Sequence, residues 1–549
     1  MPVITFRMEY LSRLIGKSFS KKKLESEALA LGFETERMDD KEVSIEITPN
    51  RPDLFTAIGF VRALKYFEHR KTYLGYTLGE SSPSFEIFVE KGVERVRPFI
   101  SAVVARNLEL DEDALADLIN FSEKFCELYG RRRRKIAMGM HDLSGCTPPF
   151  HYGAYGDEKF TPLNATEEAS FSEVLNEHEK GVQYGGILGG NATALYPALK
   201  DAKGVMALIP IINSERTKIS SKTKDMLIDI TGTSEYLVGK TADLLASIFM
   251  DLGADIERVS VRYPTKSDIF PKAERRYLEI ELSRMEQEIG VAIGSGNMIS
   301  LANKMGYEAA IVGRNMRFSV PPYRLDIINE QDIIEDIAIA YGYDYIAPIT
   351  VPSIGSGNLS KSSVLFSRVS ELMIGLGFSE MLNSYLTNEK ANFSEMRIAE
   401  DKDYVKIKNP KAESITMVRT WVLPSILRSI GLSRHDRMPQ KVFELDLAVM
   451  MKGEKPSEEY HLAAAAAGPK VNFNDAKAIA EALLHSLSPS SNILKYEHPS
   501  FIEGRCASIA LDGKVIGFFG ELHPEVLFNA GIEEPTIGME MNISALLGE

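Results

Sequence analysis

Apolar residues recur along this chain at two periods, and the switches between the two mark its elements. In SKKKLESEALALGFE, Leu24, Ala28 and Leu31 fall on one helical face, with Ser20 at the N-cap position and Gly32 as the stop. A strand over Val43 to Thr48 runs into the turn TPNRPDL, which Pro49 and Pro52 stiffen. Asp53 stands where it can cap the next helix, in which Phe55, Ile58, Arg62 and Lys65 mix apolar and basic positions. The first module therefore reads as a small α+β unit.

From Phe85 to Ser260 strand-like and helical runs alternate. FEIFVE and RPFISAVVARNLEL lead to the helix ALADLINFSEKFCELY, then the strands KIAMGMHD, VMALIPII and MLIDITGT, and then the helix KTADLLASIFMDLGA. This alternation predicts a mixed α/β domain. In MLIDITGT the period of two puts Asp229 and Thr231 on one face with Leu227, and Met226, Ile228 and Ile230 on the other. Asn213 and Ser214 end the apolar run before them and can face that polar side, while His141 leaves its own strand at a similar edge. The plain alternative is that Asn213 and Ser214 cap the following turn and His141 is a satisfied surface histidine. YGGILGGN has glycine doublets without a following Lys-Ser or Lys-Thr, so a nucleotide P-loop is not supported.

The third unit, RRYLEIELSRMEQEIG through YGYDYI, is predicted to be helical, with a helix-loop-helix start, a strand MRFSVPPYR and an acidic helix. In PPYRLDIINEQDIIEDIAIAYGYDYIAP, Pro321 and Pro322 keep the lead-in extended and Gly342 closes the helix. Asp332, Glu335 and Asp336 are spaced i, i+3 and i+4 and share a face, while Ile333, Ile334, Ile337 and Tyr341 dock on the other side. Two readings stand. The acids complement the helix dipole and face water, or Asp326 swings in beside them and four carboxylates hold a hard cation, magnesium in preference to zinc. Beyond a Gly/Ser-rich linker, PSIGSGNLSKSS, residues 361–549 read as an antiparallel sheet flanked by helices, with DGKVIGFFGEL as a hairpin.

At 549 residues the chain has room for roughly three to four domains. No apolar stretch suits a signal peptide or a bilayer span, and Cys126, Cys146 and Cys506 lie far apart, so no membrane association and a reduced cytoplasmic setting are expected. His141 near Cys146 is the closest approach to a metal spacing and is expected to be structural. A net charge of -14 argues against a surface that grips nucleic acid everywhere. GRRRRK, Gly130 to Lys135, is the local exception, either a solvated loop or a contact to an RNA backbone.

TPNRPDL, INSERTK followed by DITGT, PPYRLDIINEQDIIEDIAIAYGY, and KNP…VRTWVLPSIL…FELDLAV, in this order across essentially the whole chain, resemble the β-subunit family of phenylalanyl-tRNA synthetases. The resemblance is to the archaeal and eukaryotic form. The bacterial form carries an inserted tRNA-binding domain and a terminal anticodon-binding domain, for which this sequence has no room. The likeness implies an N-terminal module over 1–78, an editing domain over 79–265, a magnesium-bearing helical module over 266–352 and a class II-like module over 353–549.

It also implies an α-subunit partner that activates phenylalanine with ATP, an assembly of two α and two β chains, and phenylalanine tRNA as substrate. Asp326, Asp332, Glu335 and Asp336 become the implied magnesium ligands near the α subunit. Asp229, Thr231, Asn213, Ser214 and His141 become the candidates for hydrolytic editing of tyrosyl-tRNA. The class II-like module is expected to be silent, because its final strand region, Thr536 to Ser544, has Gly538 and no arginine, and Arg419 is the one candidate cation nearby. A free-standing hydrolase of mischarged tRNA and a non-catalytic assembly protein are the competing readings.

Overall fold

The structure, a computed structural model, describes residues 2–16, 20–68, 76, 78, 83, 85–189, 195–351, 355 and 357–547. The end of YGGILGGN and part of the Gly/Ser-rich linker lie outside them. The chain forms two compact units, Met1–Thr350 and Val351–Glu549.

The first unit opens with a three-stranded sheet of Val3–Arg7, Glu42–Glu46 and Thr35–Met38, packed with the helices Met8–Ile15, Lys21–Ala30 and Ala57–Phe67. Ser20 caps its helix through Lys23 N, as expected. Asp53 does not cap. Thr56 takes that role through Gly59 N, and Asp53 is instead buried against Arg51 at 2.9 Å and Arg62 at 3.5 Å. A carboxylate out of water is held there by two guanidinium groups, which outweigh the smaller gain of a cap.

A ten-stranded mixed sheet follows. Its central strand Phe85–Val89 pairs in parallel with Asp255–Arg262 on one side and with Phe150–Tyr155 on the other. Beyond Asp255–Arg262 come Phe99–Arg106, Met226–Gly232 and the edge strand Ile136–Asp142. Beyond Phe150–Tyr155 come Tyr196–Asp201, Gly204–Leu208 and the short edge Ile212–Asn213. The run VMALIPII is therefore two strands and not one. Pro210 has no N–H for a ladder, and the chain reverses there, with Ile211 N bonding back to Leu208 O at 2.7 Å. This reversal lets the sheet curl until its two edges meet, where Asn213 Nδ2 donates to Met140 O at 3.1 Å.

The unit expected to be helical contains a three-stranded antiparallel sheet, Arg276–Glu281, Asn315–Val320 and Glu308–Val312, besides the helices Leu282–Ile289, Ser295–Lys304 and Glu330–Tyr341. The reason is visible in YLEIE, where Ile280 is buried between exposed Glu279 and Glu281, a period of two.

The second unit is a seven-stranded sheet built around the long hairpin Gln440–Lys452 and Lys455–Ala467, continued by Thr536–Asn542, Lys514–Leu522, Phe501–Leu511 and Asn492–Lys495. All these pairs are antiparallel; only the two-residue edge Ser379–Glu380 runs parallel to its neighbour. Helices Lys361–Gly375, Leu423–Leu432 and Phe473–Leu487 flank it. The expected hairpin turns at Asp512 and Gly513, both with positive φ, as a two-residue hairpin loop requires.

Candidate functional site

Where the curled sheet brings its edges together it encloses a cavity of about 290 Å³. Its walls are mostly apolar, among them Met138, Met140, Leu208, Ile209, Ile211 and Ile212. Of its polar groups, Asp229 and Thr231 come from one face of the strand Met226–Gly232, and Asn213 from the edge strand Ile212–Asn213. The exposed side chains of Ile119, Glu123, Asn164 and Lys218 stand at its opening.

Asp229 is fully buried. Its Oδ1 lies 2.9 Å from His141 Nε2, while His141 Nδ1 lies 2.8 Å from Thr217 Oγ1. A carboxylate only accepts, so Nε2–H donates to Asp229, while Nδ1 is held within hydrogen-bond distance of the Thr217 hydroxyl, which also lies 3.3 Å from Ser214 O. His141 is thus buried behind Asp229 and is not a surface histidine. Asp229 Oδ2 is buried and has no hydrogen-bond partner. An unsatisfied buried carboxylate oxygen costs roughly 1–3 kcal/mol or more, which a ligand donor would relieve.

Thr231 Oγ1 accepts from Arg97 Nε at 2.9 Å, leaving the hydroxyl proton to point elsewhere. Ser214 is buried outside the cavity lining, and its side chain caps no turn. Four of the five expected residues therefore form one cluster, three on the cavity and His141 behind, while Ser214 stands apart.

Gly139 makes the cluster possible. A Cβ there would lie 2.4 Å from Asp229 Oδ1 and 3.0 Å from both Asn213 Oδ1 and His141 Nε2. Arg133 also lines the cavity. It belongs to a turn in which Arg131, Arg132 and Arg133 have φ of 49°, 54° and 62°. Left-handed backbone costs about 1–2 kcal/mol per non-glycine residue, so three in a row need support. Arg97 supplies it from inside, donating through Nη1 to Arg133 O at 2.8 Å.

The acidic segment is arranged differently. Asn329 caps the helix Glu330–Tyr341 in a capping box in which Asp332 Oδ2 accepts from Ile328 N and Asn329 N. Glu335 is exposed. Asp336 lies on the buried face, so the stripe of three acids divides among three environments.

Arg324 is the reason for the split. Its Nη2 lies 2.7 Å from Asp326 Oδ2 and 2.6 Å from Asp336 Oδ2, and Tyr307 OH also donates to Asp336. Burial raises the Asp326 carboxyl, but Arg324 and Arg51 more than reverse this and hold it low. Burial prevails at Asp336, whose carboxyl is pushed up. Among the described residues no three His, Cys, Asp or Glu side chains converge to hold a metal ion. As placed, the four carboxylates do not fit one ion, because a guanidinium occupies the two that are buried. Spacing of the acids alone does not show this, because the deciding group is Arg324, two residues before Asp326. Its charge was the available signal.

Residues 278–343 match the tRNA synthetase B5 domain and residues 348–543 the phenylalanyl tRNA synthetase beta chain CLM domain. The chain is 35% identical to the phenylalanine–tRNA ligase beta subunit of Archaeoglobus fulgidus, over 99% of this chain and 98% of the relative. This chain belongs to the phenylalanine–tRNA ligase β-subunit family. The corresponding subunit of Methanocaldococcus jannaschii is 33% identical over 99% of this chain and 100% of its own length. An N-terminal fragment of the β subunit from Pyrococcus horikoshii superposes with a TM-score of 0.60 at 32% identity, covering 62% of this chain and all of that fragment. The chain is a ligase subunit, and none of its described helices is long and apolar enough to cross a membrane.

Proposed function

We propose that this ligase subunit carries the proofreading site of an assembly with an α chain, two of each, in which the α chain activates phenylalanine with ATP. Residues 79–265 edit, flanked by the 1–78 module, and 266–352 and 353–549 serve assembly and tRNA placement in the cytoplasm. The observation that carries this reading is a buried, unpartnered carboxylate oxygen, Asp229 Oδ2, on a residue that lines a mostly apolar cavity. A synthetic pocket for phenylalanine rejects an added hydroxyl by only about a hundredfold, so a second site must reward that hydroxyl. Asp229 Oδ2 accepts it, and the apolar walls take the ring.

Hydrolysis adds water to the ester carbonyl and releases tyrosine and the ribose hydroxyl. His141 has both ring nitrogens engaged and lies behind Asp229, so no protein nucleophile is invoked. Thr231, Asn213 and the terminal ribose position the water. The full-length likeness to ligase subunits favours this over a free-standing hydrolase. Deacylation of tyrosyl-tRNA by the αβ assembly should be fast and that of phenylalanyl-tRNA slow. Equal rates would overturn the reading.

Synthesis is assigned elsewhere because the arginines at the sheet of the second unit are already committed, Arg505 to Glu521 and Arg419 to an acid of its own. Arg419 is buried against Glu444 at 2.6 Å, and its Nε donates to Leu447 O. The final strand presents buried Glu540 instead of an arginine, bonded to Val422 N, Leu423 N and His461. Burial lowers the His461 pKa, but Glu459 and Glu540 more than offset this and raise it to about 9, so the imidazole is a charge partner of these acids. The isolated chain should drive no phenylalanine-dependent pyrophosphate exchange, and measurable exchange would refute its silence.

A further inference from the structure

Resting on the cavity reading above, we propose that the turn Arg131–Arg134 is a phosphate clamp for the single-stranded RNA end whose ester enters the cavity. A volume of about 290 Å³ is at the small end for ligand sites, enough for an aminoacyl group and its ribose. The preceding nucleotides stay outside, and each brings a phosphate.

The turn is fastened to the cavity wall. Arg133 lines the cavity, donates through Nη1 to Pro210 O at 3.0 Å and Ile211 O at 2.8 Å, and lies over the Tyr184 ring at 4.4 Å. Arg97 grips the same turn from inside through the carbonyls of Arg133 and Arg134. With both anchors in place the left-handed backbone fixes where its other side chains leave. Arg131 and Arg134 are exposed, and their guanidinium groups make no hydrogen bond or ion pair with described residues.

The other cations at the opening are already paired, Lys180 with Glu123 and Lys218 with Glu215, each at 3.3 Å. Arg132 leans on Glu127 at 3.2 Å. On a chain of net charge -14, a phosphate approaching this opening meets attraction chiefly at Arg131 and Arg134. A merely solvated basic loop needs neither the left-handed turn nor two internal anchors.

The test is steady-state deacylation of tyrosyl-tRNA by the αβ assembly carrying R131A/R134A. KM should rise about tenfold while kcat changes less than about twofold. The slope of log(kcat/KM) against log salt should become shallower by about 1.4, the loss of two single-strand phosphate contacts. R131K/R134K should restore most of the affinity. An unchanged KM and salt slope overturns the clamp. So does a fall in kcat that lysine does not rescue, which would mark a structural turn, or a weakened αβ association with normal KM, which would mark a protein contact. D229A separates the two claims, because retained deacylation there would sink the cavity reading whatever the arginines do.

Discussion

Asp229→Ala should lower tyrosyl-tRNA deacylation by the αβ assembly by about a hundredfold or more while phenylalanine charging persists. A site that rewards a hydroxyl through a buried acceptor loses the basis of its selectivity when that acceptor goes. Here no neighbour can substitute. His141 is directed at Oδ1 and Thr217, and Asn213 spends its Nδ2 on Met140 O. Gly139→Ala should give a similar loss by another route, since its Cβ would force Asp229 from a position only 2.4 Å away without removing any functional group. The pair of variants distinguishes chemistry from space. Deacylation unchanged in both would place the hydrolytic site elsewhere, and loss of charging as well would indicate a folding defect.

The polar face of MLIDITGT was legible because strand period assigns faces without knowledge of neighbours, and Asp229 and Thr231 do line the cavity while Ile228 and Ile230 do not. Asn213 was legible only as a residue at the end of an apolar run. The reversal at Pro210 places it against Met140, and that depends on a sheet whose edges meet, which no local pattern encodes. Gly139 carried a signal that could have been used, since an isolated glycine inside a strand often marks close approach of other groups. Arg97 did not, because its role depends on a strand some 130 residues later and on burial that period alone cannot show.

At the acidic helix the element and its stop at Gly342 are as expected, but the shared acidic face is not, because Asp336 lies on the buried face with Ile333, Ile334 and Ile337. Asn329 and Asp332 form a capping box, a four-residue pattern present in the sequence, and it removes Asp332 from a shared acidic stripe. The dipole reading thus describes Asp332, and solvent exposure describes Glu335. Neither describes Asp326 and Asp336, which are paired below the surface.

Arg324→Met should therefore destabilise the first unit by about 3–5 kcal/mol, the usual cost of leaving buried charge uncompensated. Its side chain is only 2% exposed, and Asp326 and Asp336 are 9% and 8% exposed. Without the guanidinium, burial is opposed at Asp326 mainly by Arg51, and the deprotonated forms of both acids become harder to keep. Any divalent cation at Asp326 and Asp336 would have to displace Arg324 from the same oxygens. Millimolar magnesium should then recover part of the lost stability in the variant, by mass action on the folded state, and do little for the parent. Thermal unfolding of the αβ assembly in chelator and in magnesium reads the first effect, and manganese binding followed by electron paramagnetic resonance should be tighter in the variant. A variant as stable as the parent would show that the ion pairs contribute little. Equal unfolding with and without magnesium, together with equal manganese binding, would show that Asp326 and Asp336 hold no cation even when Arg324 is gone.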